Sequence, residues 1–272
     1  ELGDLVATVV RPIAGLPNAI MSLGASSTTT STTTTTATST TTHLGPGLFC
    51  FSVATVNHQV EMDLVRYQYQ QKLSIFACDA AVVYSDQVFS LQPGDPNATM
   101  TIPHYSGLSG LAPMGWMLNV DLFLKVWDLV AQGGAFRSYD VTVKVDPDAM
   151  FMPGRLRVQL LHAPPPSQPW YMLNCAFYHS MQGSLEVLSR GAVESFTDVA
   201  RRTNMCVYAG LTANAGEDMF ISSCLLKLGA AGILDTSLSL DWTCGPSYPN
   251  YFGPCSVGWK VSYHPFKTVG AW

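Results

Sequence analysis

The stretch Val141–Phe151, VTVKVDPDAMF, constrains this chain more than any other. Val141, Val143 and Val145 alternate with Thr142 and Lys144, the period-2 pattern of a strand, and the run stops at Asp146-Pro147-Asp148. Two carboxylates one residue apart at the end of a buried strand can share a hard divalent cation, Mn²⁺ or Mg²⁺, with substrate phosphates filling the rest of its shell. Asp and Pro also favour turns, so a plain turn is the competing reading of the same residues.

What precedes this strand predicts a parallel α/β sheet. Leu48–Val56 is an apolar run of strand length, and Asn57 is a fair helix N-cap with Glu61 in the first turn. Val60, Leu64 and Tyr67 mark a helix face running to about Lys72, and Leu73–Ala77 reads as a second strand ending at Cys78-Asp79. Strand, helix and strand in so short a span form a βαβ unit with a right-handed crossover. Ligands of such sheets bind beyond the carboxyl ends of the strands, where Asp79 could read a ribose or base; a turn cap is its plainer role. Leu91–Gly115 reads as a long surface segment. Asn119 then opens a helix with Phe123, Val126, Trp127 and Val130 at i, i+3, i+4 and i+7, ended by Gly133 and leading into the strand before Asp146.

Downstream, Pro153 opens a short helix with Leu156 and Leu160, stopped by Pro164. Trp170–Cys175 and Ser184–Leu188 read as strands, and Ser189 caps a helix with Ala192, Val193, Phe196 and Ala200 inward. Glu217-Asp218 starts a helix whose stripe is Ile221, Cys224, Leu225 and Leu228, followed by a last strand, Ile233–Leu240, and by the late histidine His264. Acidic residues at a helix N-terminus complement its dipole, which alone accounts for Glu217 and Asp218. A single histidine is more often structural than a ligand.

The N-terminus is of another kind. Residues 26–43 are almost pure Ser and Thr, which cannot bury enough apolar surface to offset chain entropy. They predict a disordered linker, an O-glycosylated stalk or a bare spacer, between a tail (1–25) and a folded domain (44–272). Apolar residues make up 47% of the 272 and charged residues 12%, enough for a core, and the net charge of −5 argues against a nucleic-acid partner. No uninterrupted apolar run of about 18 residues could span a bilayer. Because the chain begins with Glu1, a signal or membrane anchor upstream is compatible with it. Seven scattered cysteines without a Cys-x-x-Cys pair argue against structural zinc; Cys244 and Cys255, flanking a Gly/Pro/Tyr-rich loop, are a candidate disulfide. With the glycosylation triplet Asn97-Ala98-Thr99 and the Thr tract, they point to the secretory pathway: Golgi or ER lumen, or outside the cell.

The order of parts (βαβ, a strand ending in Asp-x-Asp, a helix opened by Glu-Asp, a C-terminal His) resembles the GT-A fold of nucleotide-sugar glycosyltransferases. It is most similar to the β-galactosyltransferase and Fringe-like group. That group's Lys-Thr-Asp-Asp-Asp-Val-Phe stretch is matched by Lys144-Val145-Asp146-Pro147-Asp148-Ala149-Met150, with Pro147 in place of the middle acid. Its Leu-Ser-Arg segment looks like Leu188-Ser189-Arg190, and its Glu-Asp-Val like Glu217-Asp218-Met219.

The resemblance implies a Rossmann-like, mostly parallel central sheet flanked by helices and a hexosyltransferase moving sugar from a nucleotide-diphosphate donor to a glycan or protein hydroxyl. It implies metal ligands Asp146, Asp148 and His264, donor contacts from Asp79, Lys144 and Asp146, Asp218 as the base, Glu217 orienting the acceptor, and inversion at the anomeric carbon. No nucleophile elbow, phosphate loop or H-E-x-x-H competes. A glycosidase would need carboxylates flanking the bond, which Asp146 and Asp218 fit less well than a metal site. The other class of reading is a degenerate transferase domain that binds carbohydrate without turnover.

Overall fold

A computed structural model describes residues 44–56, 58–93, 100–101, 119–175, 179–200, 203, 205–206, 216–244 and 258–272. The tail, the Ser/Thr tract, Asn57, Asn97, Cys255 and most of Leu91–Gly115 lie outside these residues.

In chain order the strands are β1 (Leu48–Val53), β2 (Ala80–Ser85), β3 (Met100–Thr101), β4 (Val141–Val145), β5 (Met150–Phe151), β6 (Trp170–Leu173), β7 (Leu185–Ser189), β8 (Ala231–Leu234), β9 (Ser239–Asp241) and β10 (Ser262–His264). The helices are α1 (Gln59–Gln71), α2 (Val120–Gly133), α3 (Pro153–Gln159), α4 (Arg190–Glu194), which continues as a π-helical stretch through Ala200, and α5 (Glu217–Lys227).

Seven strands form the main sheet in the order β3-β2-β1-β4-β7-β6-β8. β1 pairs in parallel with β2 and with β4, β3 with β2, and β6 with β8; only β7 runs antiparallel to its neighbours β4 and β6. The expected mostly parallel sheet flanked by helices is what forms. Alternation in β1 sends Phe49 and Phe51 to one face and Leu48 and Cys50 to the other. On the first face the ring of Phe51 meets Trp127 of α2 edge-on at 5.2 Å, and Trp127 meets Phe196 at 5.7 Å. Such edge-to-face pairs add roughly 0.5–1.5 kcal/mol each beyond area burial. The second face takes α1, α3 and a small sheet of β5, β10 and β9. That small sheet lies past the carboxyl end of β4 in sequence, and it brings the C-terminal segment back to Asp148.

Several boundaries differ from expectation. Leu73–Ala77 is not a strand: Ser74–Ala77 is a 3₁₀ turn, with Ser74 in the left-handed region at φ 53°, and the strand is the following AAVVYS. Asp79 therefore precedes its strand instead of ending it. Ile233–Leu240 divides between β8 and β9, which belong to different sheets. His58 caps α1, its ring accepting from the Glu61 amide. Asn119 precedes α2 without capping it, and its Oδ1 instead accepts from Glu217 N of α5 at 3.1 Å. α2 runs through Gly133 and ends at Gly134, whose φ of 64° suits a residue without Cβ. Cys244 pairs with Cys175 and not Cys255; the other disulfides are Cys50–Cys78 and Cys206–Cys224.

Candidate metal centre and adjoining carboxylates

Where β4 ends, the chain turns at once. Ala149 N donates to Asp146 O at 3.0 Å, closing a four-residue turn with Pro147 at its second position, the place where proline's fixed φ fits. The Pro147 carbonyl accepts from Gln68 of α1 at 2.6 Å. Turn and candidate cation site are thus one object, and Pro147 shapes it: the carboxylates on either side face a common space.

Three side chains meet there. Ligand atoms of Asp146, Asp148 and His264 all lie within 4.8 Å of one another. β10 carries His264 beside β9, in register with Asp241, and Asp241 Oδ2 lies 2.6 Å from His264 Nδ1. With Nδ1 committed to Asp241, Nε2 faces Asp148 Oδ1 at 3.4 Å. Asp241 is fully engaged: Ser184 Oγ donates to Oδ2 at 2.9 Å, and Thr243 N and Oγ1 donate to Oδ1 at 2.9 and 2.7 Å. A carboxylate behind a histidine fixes the ring's tautomer and direction, the usual support of a ligating imidazole. Two carboxylates and one imidazole suit Mn²⁺ or Mg²⁺, so the donor set fits the expected ion.

Protein cations already face both aspartates. Lys267 places its ammonium on Asp148 Oδ2. Burial alone would raise the Asp148 pKa, but hydrogen bonds and charge from His264 and Lys267 outweigh it and hold the carboxyl at about 2. Burial alone would lower His264; its hydrogen bonds to Asp148 and Asp241 outweigh that and raise it to about 9.

Behind Asp146 lies a buried lysine. Lys144, 2% exposed, sets its Nζ 2.9 Å from Asp146 Oδ1, 3.1 Å from Glu217 Oε1 and 3.2 Å from Glu186 Oε1. It also donates to Gly183 O at 2.6 Å and lies over the Phe123 ring, 4.5 Å from its centroid. Burial opposes its charge, and the carboxylates of Asp146, Glu217 and Glu186 outweigh that, so its pKa stands well above the ordinary value. Burial first, then their mutual repulsion, raises Glu217 well above a normal carboxylate; burial raises Glu186 as well. Lys144 therefore faces protein carboxylates rather than a donor, and it braces Asp146 from behind.

Asp218 is one residue further round. Its Oδ2 accepts from Gly183 N at 2.9 Å and its Oδ1 from Met219 N at 2.7 Å. Burial first, then the charge of Glu217, raises it to about 6. Gly183 thus joins the two groups, its carbonyl on Lys144 and its amide on Asp218. Glu217 points inward to Lys144 and does not reach out to an acceptor.

Asp79 does not join this site. Its Oδ2 accepts from Leu48 N at 2.7 Å and from Arg157 at 2.8 Å, at the amino end of the sheet. Leu48 is in register with Val141, five residues before Asp146, which puts Asp79 about 16 Å from the cation site at roughly 3.3 Å per residue. Its position serves the β1–α3 junction.

Glu186, Asp241 and Lys267 were not singled out from the sequence. Glu186 carried a signal: a charged residue inside an apolar strand, LEVLS, directly across from the equally anomalous Lys144. Asp241 is the last residue of its strand, as Asp146 is the first after β4, and Lys267 follows His264 by three residues.

No family model matches this sequence, and no curated protein matches it. Among solved structures, the chain is similar to a glycosyltransferase involved in glycosylation of the major capsid of PBCV-1, at 10% identity and a TM-score of 0.47, over 80% of this chain and 93% of that one.

Proposed function

We propose that this chain is a metal-dependent glycosyltransferase of the GT-A type, moving a hexose from a nucleotide-diphosphate donor to a hydroxyl of a glycan or protein acceptor with inversion. The observation that carries this reading is the meeting of Asp146, Asp148 and His264, from separate parts of the chain, at the carboxyl end of the central strand. Gly183 ties a half-buried carboxylate to this cluster, since its carbonyl holds Lys144 behind Asp146 and its amide holds Asp218.

Asp146, Asp148 and His264 would hold Mn²⁺ or Mg²⁺, which supplies positive charge against a leaving diphosphate. Lys144 fixes the Asp146 carboxylate from behind, and Asp241 fixes the His264 ring. Asp218 takes the proton of the acceptor hydroxyl as its oxygen bonds to the anomeric carbon; the bond from that carbon to the diphosphate breaks, and the electron pair leaves with the phosphate. A carboxyl raised to about 6 by burial is ionised at neutral pH and still basic enough for this work. Three disulfides fit an oxidising, secretory setting, and no helix among the described residues is long and apolar enough to cross a membrane.

One observation favours a second reading, a carbohydrate-binding domain without turnover: Lys144 and Lys267 already give each aspartate of the pair a cation. Thermal unfolding with UDP and with GDP, with and without Mn²⁺, separates the two. The transferase reading expects Mn²⁺-dependent stabilisation by one nucleotide, absent in Asp148→Ala. No stabilisation under any condition removes it.

A further inference from the structure

Lys144 and Lys267 each set an ammonium on one aspartate of the pair, but the two are built differently. The Lys144 side chain is 2% exposed and its charge is shared among Asp146, Glu186 and Glu217, so it cannot leave without stranding them. The Lys267 side chain is 70% exposed, and its ammonium is held by Asp148. An exposed ion pair opens readily, because the released ammonium returns to water.

The Lys267 backbone, in contrast, is fixed. Phe266, whose ring is buried, donates its N–H to Asp148 O at 2.8 Å. After Lys267 the chain closes a turn in which Thr268 O accepts from Ala271 N and Trp272 N, and the Trp272 ring meets Tyr67 of α1 at 6.2 Å. The ammonium is thus tethered beside Asp148, free to let go and unable to go far. A tethered group keeps a high effective concentration at its site.

The atoms it covers are the ones a metal needs. Asp148 Oδ1 faces His264 Nε2 at 3.4 Å, and Oδ2 carries Lys267. A dication held by Asp146, Asp148 and His264 would draw on the same carboxylate. Two positive centres at one carboxylate repel, so ammonium and dication are alternatives.

We propose that Lys267 is a built-in, displaceable counter-ion of Asp148, which keeps the aspartate pair set for a divalent cation and is expelled into solvent when that cation binds. The proposal rests on the metal site of the transferase reading and adds a control to it. A monovalent ion brings no more charge than the tethered ammonium and does not displace it, so the exchange admits dications. Of the two lysines, only Lys144 is then a permanent partner of the pair.

The test measures free Mn²⁺ by electron paramagnetic resonance with the full chain, with Lys267→Met and with Lys260→Met. Lys260 is the control, an equal charge on the same C-terminal segment whose Nζ donates to Thr236 O. Lys267→Met should bind Mn²⁺ about two- to fivefold more tightly than the parent, the factor by which an exposed ion pair competes, and Lys260→Met should match the parent. Displacement is read on reductively ¹³C-methylated protein titrated with diamagnetic Mg²⁺: the dimethyl-lysine signal lost in Lys267→Met should shift saturably. Tighter Mn²⁺ binding confined to Lys267→Met, together with that shift, supports the proposal. Equal or weaker binding in Lys267→Met, equal tightening in Lys260→Met, or a Lys267 signal that stays put as Mg²⁺ saturates overturns the counter-ion and leaves the metal site standing. If neither the parent nor Lys267→Met binds Mn²⁺, the metal site falls and the counter-ion with it.

Discussion

Lys144 and Glu217, 73 residues apart in the chain, meet at 3.1 Å where neither side chain reaches solvent. The contact crosses from the central strand to the first turn of α5, and Glu186 on β7 completes it from the neighbouring strand. Its cost and its purpose are both visible. Burying a lysine and two glutamates forfeits hydration, and the ammonium repays part of that only while all three are present. What it secures is geometry: Asp146 is held facing Asp148 and His264, and α5 is drawn close enough to put Asp218 beside Gly183.

Lys144→Met should therefore destabilise the protein by about 3–5 kcal/mol, because it strands two buried carboxyls. The triple variant Lys144→Met, Glu186→Gln, Glu217→Gln, which leaves neither glutamate as a buried carboxyl, should recover most of that loss. Urea unfolding of the metal-free proteins measures both. A single variant as stable as the parent would mean that the glutamates find their proton or their water elsewhere.

Asp218 gives a pH signature. Burial and Glu217 raise it from 3.8 to about 6, so the folded state keeps its proton to higher pH than the unfolded chain does. The stability linked to this group is fully present below 3.8 and is lost as pH rises through about 6. Asp218→Asn should flatten that part of the curve of thermal midpoint against pH. It should also abolish transfer while leaving nucleotide binding intact, and in the parent kcat/KM should fall on the acid side with a midpoint near 6. Retained turnover in Asp218→Asn would remove it as the base.

The legible parts of this molecule were those with a period. Valines at every second position located β4, and the i, i+3, i+4, i+7 stripe from Phe123 to Val130 located α2. The meeting of Asp146, Asp148 and His264 was legible only through the resemblance to the GT-A order of parts, because an acid pair around a proline reads equally well as a turn. What failed was short or non-periodic. Leu73–Ala77 is apolar like a strand, but five residues cannot distinguish a strand from a buried turn, and Ile75 and Phe76 bury themselves from a 3₁₀ turn. That one-step error carried Asp79 to the wrong end of the sheet. Cys244 was paired by proximity in sequence, whereas pairing is decided by the β6–β9 approach, which spacing does not encode. Glu186 takes its meaning from Lys144 on the facing strand and Asp241 from His264, pairings that only the folded sheets bring about.

Asp241 touches no ligand position, yet cation affinity should depend on it. Its carboxylate fixes the His264 ring at 2.6 Å and is itself fixed by Ser184 and Thr243. Supporting carboxylates of this kind are typically worth about 10–100-fold in metal affinity. Asp241→Asn should weaken Mn²⁺ binding by that order with little change in the far-ultraviolet circular dichroism, and Asp148→Ala should abolish it. Electron paramagnetic resonance of free Mn²⁺ gives the affinities directly. An unchanged Asp241→Asn would place His264 outside the shell.

The disulfides divide along the same line. Cys175–Cys244 closes a separation of 69 residues and Cys50–Cys78 one of 28, so loop-closure entropy assigns them similar worth, about 3.5–4.5 kcal/mol each. Their positions differ. Cys78 adjoins Asp79 at the amino end of the sheet, while Cys244 lies three residues after Asp241, on the turn that holds His264. Replacing either pair with serines should lower the unfolding midpoint in urea by a similar amount. Only the Cys175→Ser, Cys244→Ser protein should also lose Mn²⁺ affinity, because only there does the freed chain carry the support of a ligand. Equal loss of Mn²⁺ binding in both variants would show that general stability, and not the Asp241 turn, governs the site.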